Sequence, residues 1–216
     1  MRFSAILFDL DGALVDSIED LAASCNKVLA ARNFPVHRVE DYNFFVGDGL
    51  DVLMERIVPP GTSAEVLVAC CQEFGLHYQE CWHENSTPYK GIKQMINDLR
   101  EAEIPLGILS NKPDAFTQKV VEFFFPEHPF TYISGQRADV PKKPNAAGAL
   151  LAARTMGIEA QEMLFIGDTS VDMQTGKNSG MTSLGVSWGF RPIKELRAHR
   201  ADFIVNTPQE IVELCL

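Results

Sequence analysis

Three short apolar runs, Ile6-Leu7-Phe8, Leu106-Gly107-Ile108-Leu109 and Met163-Leu164-Phe165-Ile166, stop abruptly at residues that carry chemistry. They end in Asp9-x-Asp11, in Ser110-Asn111-Lys112, and in Gly167-Asp168-Thr169-Ser170-Val171-Asp172. Unbroken runs of this length suit parallel strands buried on both faces, and such strands present ligands at their carboxyl ends. From residue 86 onward, helical patterns alternate with strands. Ile92, Met95, Ile96 and Leu99 mark one helix, and others run from Pro113 to Phe124, Asn145 to Met156, after Thr169 to Asn178, and from Pro208. Strands near Tyr132–Ser134, Thr182–Val186 and Phe203–Val205 complete an alternation that predicts a parallel α/β sheet.

Residues 17–85 break that rhythm. Ser17-Ile18-Glu19-Asp20 resembles a capping box, with Ser17 as cap, and opens a helix running to about Arg32. After Pro35 and a polar stretch, a second helix covers Leu50 to Val58 and stops at Pro59-Pro60-Gly61. A third, from Ser63 to Glu84, sets Leu67, Cys70, Phe74, Tyr78 and Cys81 on one stripe. The expected fold is therefore α/β, a Rossmann-like parallel sheet core built from residues 1–16 and 86–216, with an all-helical domain (17–85) inserted after the first strand. The insert carries four Lys/Arg against eleven Asp/Glu, and so holds most of the net charge of -10.

That charge, with a pI near 4.9, argues against nucleic acid, which needs a basic surface. It offers no long-range steering of an anion either, so a phosphate-bearing ligand must be small and held by local groups. No stretch approaches the ~18 apolar residues of a membrane span, and the run before Asp9 is too short for a signal peptide. No membrane association and a cytoplasmic location are the default expectations. The five cysteines are odd in number, show no C-x-x-C spacing and fall mostly within helical apolar patterns, as reduced core residues do.

If the three strand ends lie side by side, several carboxylates crowd one crevice. At about 4 Å and an effective dielectric near 20, each like-charged pair costs about 4 kcal/mol, so such a cluster needs a cation or a proton. Hard oxygen ligands without Cys or His favour Mg²⁺ over zinc. The same groups suit phosphoryl transfer through a carboxylate nucleophile. In this reading Asp9 attacks, Mg²⁺ and Lys143 offset charge, Ser110 hydrogen-bonds a phosphoryl oxygen and Asp11 moves protons, which requires a raised pKa for part of the cycle.

The sequence resembles the haloacid dehalogenase-like phosphatases. Asp9-Leu10-Asp11-Gly12 is similar to their D-x-D-G-[TV] first motif, Ser110 to the second, Lys143-Pro144 to the third, and Gly167-Asp168 to Asp172 to their G-D-x-x-x-D fourth. The resemblance implies Asp9 as nucleophile, Asp11 as general acid/base, and Mg²⁺ held by Asp9, the Asp11 carbonyl and Asp168 with support from Asp172. It also implies that residues 17–85 form a mobile cap. Val46-Gly47-Asp48-Gly49 and the helix after it, Thr87-Pro88-Tyr89 and Ser110-Asn111-Lys112-Pro113 are similar to phosphoglycolate phosphatases, making 2-phosphoglycolate the leading substrate. Gly12, Gly47, Gly49 and Asn111 are then the candidate substrate contacts. Ala13 departs from the usual motif threonine, and Ala146 from a frequent second proline.

Bland readings stand beside several of these. Gly47-Asp48-Gly49 is either an interhelical turn or a loop offering amides to a substrate carboxylate. Arg56, beside Glu55, reads as surface. His77, Cys81 and His83 read as core and surface residues because Cys81 lies on the apolar stripe. Trp188-Gly189-Phe190-Arg191 follows a strand end and is an ordinary loop or a rim of the site. A sugar-phosphate mutase of the β-phosphoglucomutase type is the nearest rival reading. A catalytically weak ligand-binding protein, hinted at by Ala13 alone, is a more distant one.

Overall fold

A four-residue apolar strand is stable only where neighbours cover both its edges and both its faces. β1 (Ala5–Phe8) meets that condition: it pairs in parallel with β4 (Leu106–Pro113) on one side and β6 (Met163–Gly167) on the other. In the computed structural model, which describes residues 3–127 and 129–216, six parallel strands run in the order β5-β4-β1-β6-β7-β8. The outer strands are β5 (Phe130–Gln136), β7 (Thr182–Val186) and β8 (Phe203–Val205). The chain leaves β1 for one half of the sheet and returns to the other at β6, so the carboxyl ends of β4, β1 and β6 border the crevice where strand order reverses.

Side chains alternate across β1. Ile6 and Phe8 enter a large apolar core, while Ala5 and Leu7 join a smaller one with Ala149, Ala152 and Ala153. The larger core is lined by α5 (Ile92–Glu101), α6 (Asp114–Phe124) and α10 (Pro208–Cys215). The three alanines belong to α7 (Ala147–Met156). α8 (Ser170–Ser179) follows β6, and α9 (Ile193–Ala198) lies between β7 and β8.

The insertion comprises α1 (Ile18–Ala31), α2 (Val39–Phe45), α3 (Leu50–Ile57) and α4 (Ala64–Cys81). It begins and ends at a two-stranded antiparallel ribbon, β2 (Val15–Asp16) against β3 (Thr87–Pro88). Its apolar faces are continuous with the sheet's larger core. Asp20, 1% exposed, accepts hydrogen bonds from the Asn85 and Ser86 backbones and from both their side chains, tying the start of α1 to the approach to β3.

Several local expectations need correction. The polar stretch after Pro35, to which the sequence assigns no helix of its own, holds α2, which buries Tyr42 completely. α9 and the β2–β3 ribbon were likewise too short for periodicity to reveal. Ser17 does sit at the N-cap of α1, but its side chain makes no capping bond and instead donates to Asp11 Oδ1 at 2.6 Å. Asp20 is spent on residues 85 and 86 rather than on a capping box. All five cysteines are free, four of them buried. Among the described residues no helix is long and apolar enough to cross a membrane.

Candidate active site

The three sequence-predicted strand ends meet. Ligand atoms of Asp9, at the end of β1, and of Asp168 and Asp172, after β6, lie within 4.8 Å of one another, and all three residues are buried. Lys143 Nζ enters this group 2.9 Å from Asp9 Oδ1 and 2.7 Å from Asp172 Oδ1. Asp172 Oδ2 accepts from the Thr169 amide and hydroxyl, so the turn that starts α8 fixes its orientation. Asp168 Oδ2 accepts from Phe190 N at 2.8 Å, whereas its buried Oδ1 has no partner.

Glycines make room for this carboxylate cluster. Gly12 turns the chain at φ +87°, and a Cβ there would stand 2.4 Å from Asp168 Oδ2. A Cβ on Gly189 would stand 2.2 Å from Asp168 Cβ. The loop after β7 thus belongs to the site: Phe190 holds Asp168, and the Trp188 indole donates to the Ala13 carbonyl at 3.1 Å. Ala13 itself is buried.

Asp11 stands apart from the cluster. Its carboxylate accepts from Ser17 and from Lys112 Nζ, at 3.0 Å and 3.2 Å, and Lys112 Nζ also donates to the Tyr78 hydroxyl at 2.7 Å. Lys112 and Tyr78 are the residues sequence reasoning missed. Lys112 was visible beside Ser110-Asn111 at a strand end, but nothing in the stripe on α4 distinguishes Tyr78 from a core aromatic. Ser110 Oγ lies on the cavity wall and accepts from Lys112 N. Asn111 spends its side chain locally, donating to the Gly47 and Lys143 carbonyls and accepting from Lys143 N. It positions Lys143 and the glycine loop at once.

That loop lies over the site. Val46, Gly47 and Gly49 line a cavity of about 590 Å³, counting its open mouth, whose floor includes Asp9, Asp11 and Ser110. Arg191, nearly buried, donates to the carbonyls of Asn43 and Val46 and so joins the loop after β7 to the insertion. Arg56 is turned away, bonding to Phe45 O and Asp48.

Four carboxylates and two ammonium groups share the crevice. Burial pushes Asp9 up to about 7; Lys143 opposes the shift and Asp172 adds to it. Asp168 is raised well above its ordinary range by burial and then by Asp172 and Asp9. Burial alone would discharge Lys143, but Asp172 and Asp9 outweigh it and hold the ammonium above its usual range. A buried, oxygen-only cluster with an unpartnered carboxylate oxygen fits a hard divalent cation.

A family model for haloacid dehalogenase-like hydrolases matches residues 6–186. The phosphoglycolate phosphatase of Vibrio parahaemolyticus is 30% identical over 215 residues, covering 97% of this chain and 94% of that protein. That of Escherichia coli is 30% identical over 227 residues, with coverage of 96% and 90%. Among solved structures, a predicted phosphoglycolate phosphatase from Haemophilus somnus superposes with a TM-score of 0.93 at 26% identity, over 100% of this chain and 99% of that one. A β-phosphoglucomutase from Clostridium difficile, at 20% identity and a TM-score of 0.80 over 97% and 93% of the two chains, shares the fold. With four motif segments converging on one crevice and the family model spanning most of its length, the chain belongs to the haloacid dehalogenase-like hydrolases.

Proposed function

We propose that this chain is a Mg²⁺-dependent phosphatase that hydrolyses a small phosphomonoester, foremost 2-phosphoglycolate, through an aspartyl phosphate on Asp9. The observation that carries it is the division of four acids into two sets. Asp9, Asp168 and Asp172 surround Lys143, while Asp11 is held separately by Ser17 and Lys112. Nucleophile and proton carrier are thus kept apart in one cavity. The names of the two bacterial relatives support the substrate.

A carboxylate oxygen of Asp9 attacks phosphorus, the phosphorus–ester oxygen bond breaks, and Asp11 gives its proton to the departing alkoxide. Asp11, now a carboxylate, takes a proton from the water that attacks the aspartyl phosphate, and inorganic phosphate leaves. Lys143 offsets charge on the phosphoryl oxygens, and Ser110 donates its hydroxyl to one of them. Asp9, Asp168 and the Asp11 carbonyl would hold Mg²⁺, with Asp172 supporting; bound there, the ion neutralises the phosphoryl group and keeps Asp9 ionised. Residues 17–85 act as a cap whose Gly47–Gly49 loop shields the cavity from water. A cytoplasmic location accords with the five free thiols.

The test is phosphate release from a panel of small phosphorylated metabolites, with wild type and Asp9→Asn in parallel. Wild type releases phosphate with Mg²⁺ and not after chelation, and Asp9→Asn is silent. Isomerised sugar phosphate in place of free phosphate would sink the phosphatase reading.

A further inference from the structure

Lys112 is a buried cation whose carboxylate partner is the proposed proton carrier, and the proposed mechanism gives it no task of its own. Lys143 is committed between Asp9 and Asp172, and among the described residues Lys112 is the one cation lining the cavity. Leu50, Leu53, Phe74 and Phe116 give the same cavity apolar lining, and both phenylalanines pack against the Tyr78 ring. An anionic group entering that space without a cation would lose its hydration for nothing in return.

The position of Lys112 defines which anion it meets. Its Nζ lies beside both oxygens of Asp11, the group that protonates the departing ester oxygen. A group attached one carbon beyond that oxygen falls next to the same ammonium. Tyr78 adds a second donor, for its hydroxyl accepts from Lys112 Nζ and keeps its own proton to give. Burial pushes that phenol up to about 12, so the proton stays in place at neutral pH. Ammonium and phenol together suit the two oxygens of a carboxylate.

Building on the phosphatase reading, we infer that Lys112 and Tyr78 form a carboxylate-selecting subsite that favours phosphomonoesters bearing a carboxylate one carbon from the ester oxygen. Tyr78 lies on α4, so the subsite is complete only with the insertion seated over the sheet.

The experiment compares 2-phosphoglycolate with ethyl phosphate, the same chain with a methyl in place of the carboxylate. The readout is the ratio of the two kcat/KM values, in which any loss acting through Asp11 cancels. Wild type favours 2-phosphoglycolate. Lys112→Met reduces the ratio by about 30- to 100-fold, the usual worth of a charge-assisted hydrogen bond. Tyr78→Phe, which keeps the ring, reduces it by about 3- to 10-fold and serves if Lys112→Met does not fold. A ratio unchanged in the folded variants, or near one in wild type, overturns the subsite and leaves the phosphatase reading standing. Release of phosphate from neither compound overturns that reading instead. Calorimetric titration of Asp9→Asn with Mg²⁺ then decides the subsite: tighter binding of 2-phosphoglycolate, abolished by adding Lys112→Met, supports it, and equal binding overturns it.

Discussion

At Asp168, two glycines do what no larger residue can. Gly12 and Gly189 approach the carboxylate from two loops, and any Cβ on Gly189 would also stand 2.5 Å from the Gly12 carbonyl. Gly189→Ala should therefore displace Asp168 and reduce kcat by at least ~100-fold, as loss of a key electrostatic group does, with circular dichroism confirming a folded protein. Lys143→Ala leaves Asp9 and Asp172 facing each other unscreened, and turnover should fall by ~10³-fold or more; unchanged kinetics would refute its role. Asp9 itself makes stability depend on pH. Unfolded it titrates near its ordinary 3.8, folded near 7, so between those values the folded state binds the proton more tightly. Stability from this group falls as pH rises through that window. Without Mg²⁺, Asp9→Asn should melt above wild type at pH 8, with the gap narrowing at pH 5. Mg²⁺ should raise the wild-type Tm at pH 8 more than that of the variant. A gap of the opposite sign at pH 8 would show that burial does not dominate.

At the scale of elements, two buried charges hold the insertion in place, Asp20 across its two ends and Arg191 against the loop after β7. Asp20 receives backbone and side-chain donors from residues 85 and 86, and Asp20→Ala should cost about 3 kcal/mol through the donors left unpaired. A urea midpoint within experimental error of wild type would refute this. Arg191 reaches the last turn of α2 and Val46 from the loop after β7. Arg191→Leu should loosen the insertion and raise KM by ~5- to 20-fold, more than it lowers kcat; a change confined to kcat would place the effect at Asp168 instead. The long elements were legible in sequence because period and length agreed: β1, β4 and β6 as continuous apolar runs, and α1 and α4 as apolar stripes. α2, α9 and the β2–β3 ribbon were not, because two to seven residues carry too little periodicity to stand out.

Across the whole molecule, a net charge of -10 opposes approach of an anionic substrate, and most of it sits on the insertion that overlies the cavity. At constant free Mg²⁺, kcat/KM for 2-phosphoglycolate should rise with ionic strength as the repulsion is screened. A fall would mean that local cations dominate the approach. The charge balance, the parallel α/β core, the helical insertion and the acids Asp9, Asp11, Asp168 and Asp172 could all be read from the sequence. They depend on composition, periodicity and spacing along one dimension. What only the tertiary structure decided is which charges meet. Lys143, already expected in the site, bridges Asp9 and Asp172, Ser17 turns to Asp11 instead of capping a helix, and Tyr78 leaves an apolar stripe to meet Lys112. Side-chain contacts of this kind are set by how helices seat on a sheet, and a partner distant in sequence leaves no local pattern to read.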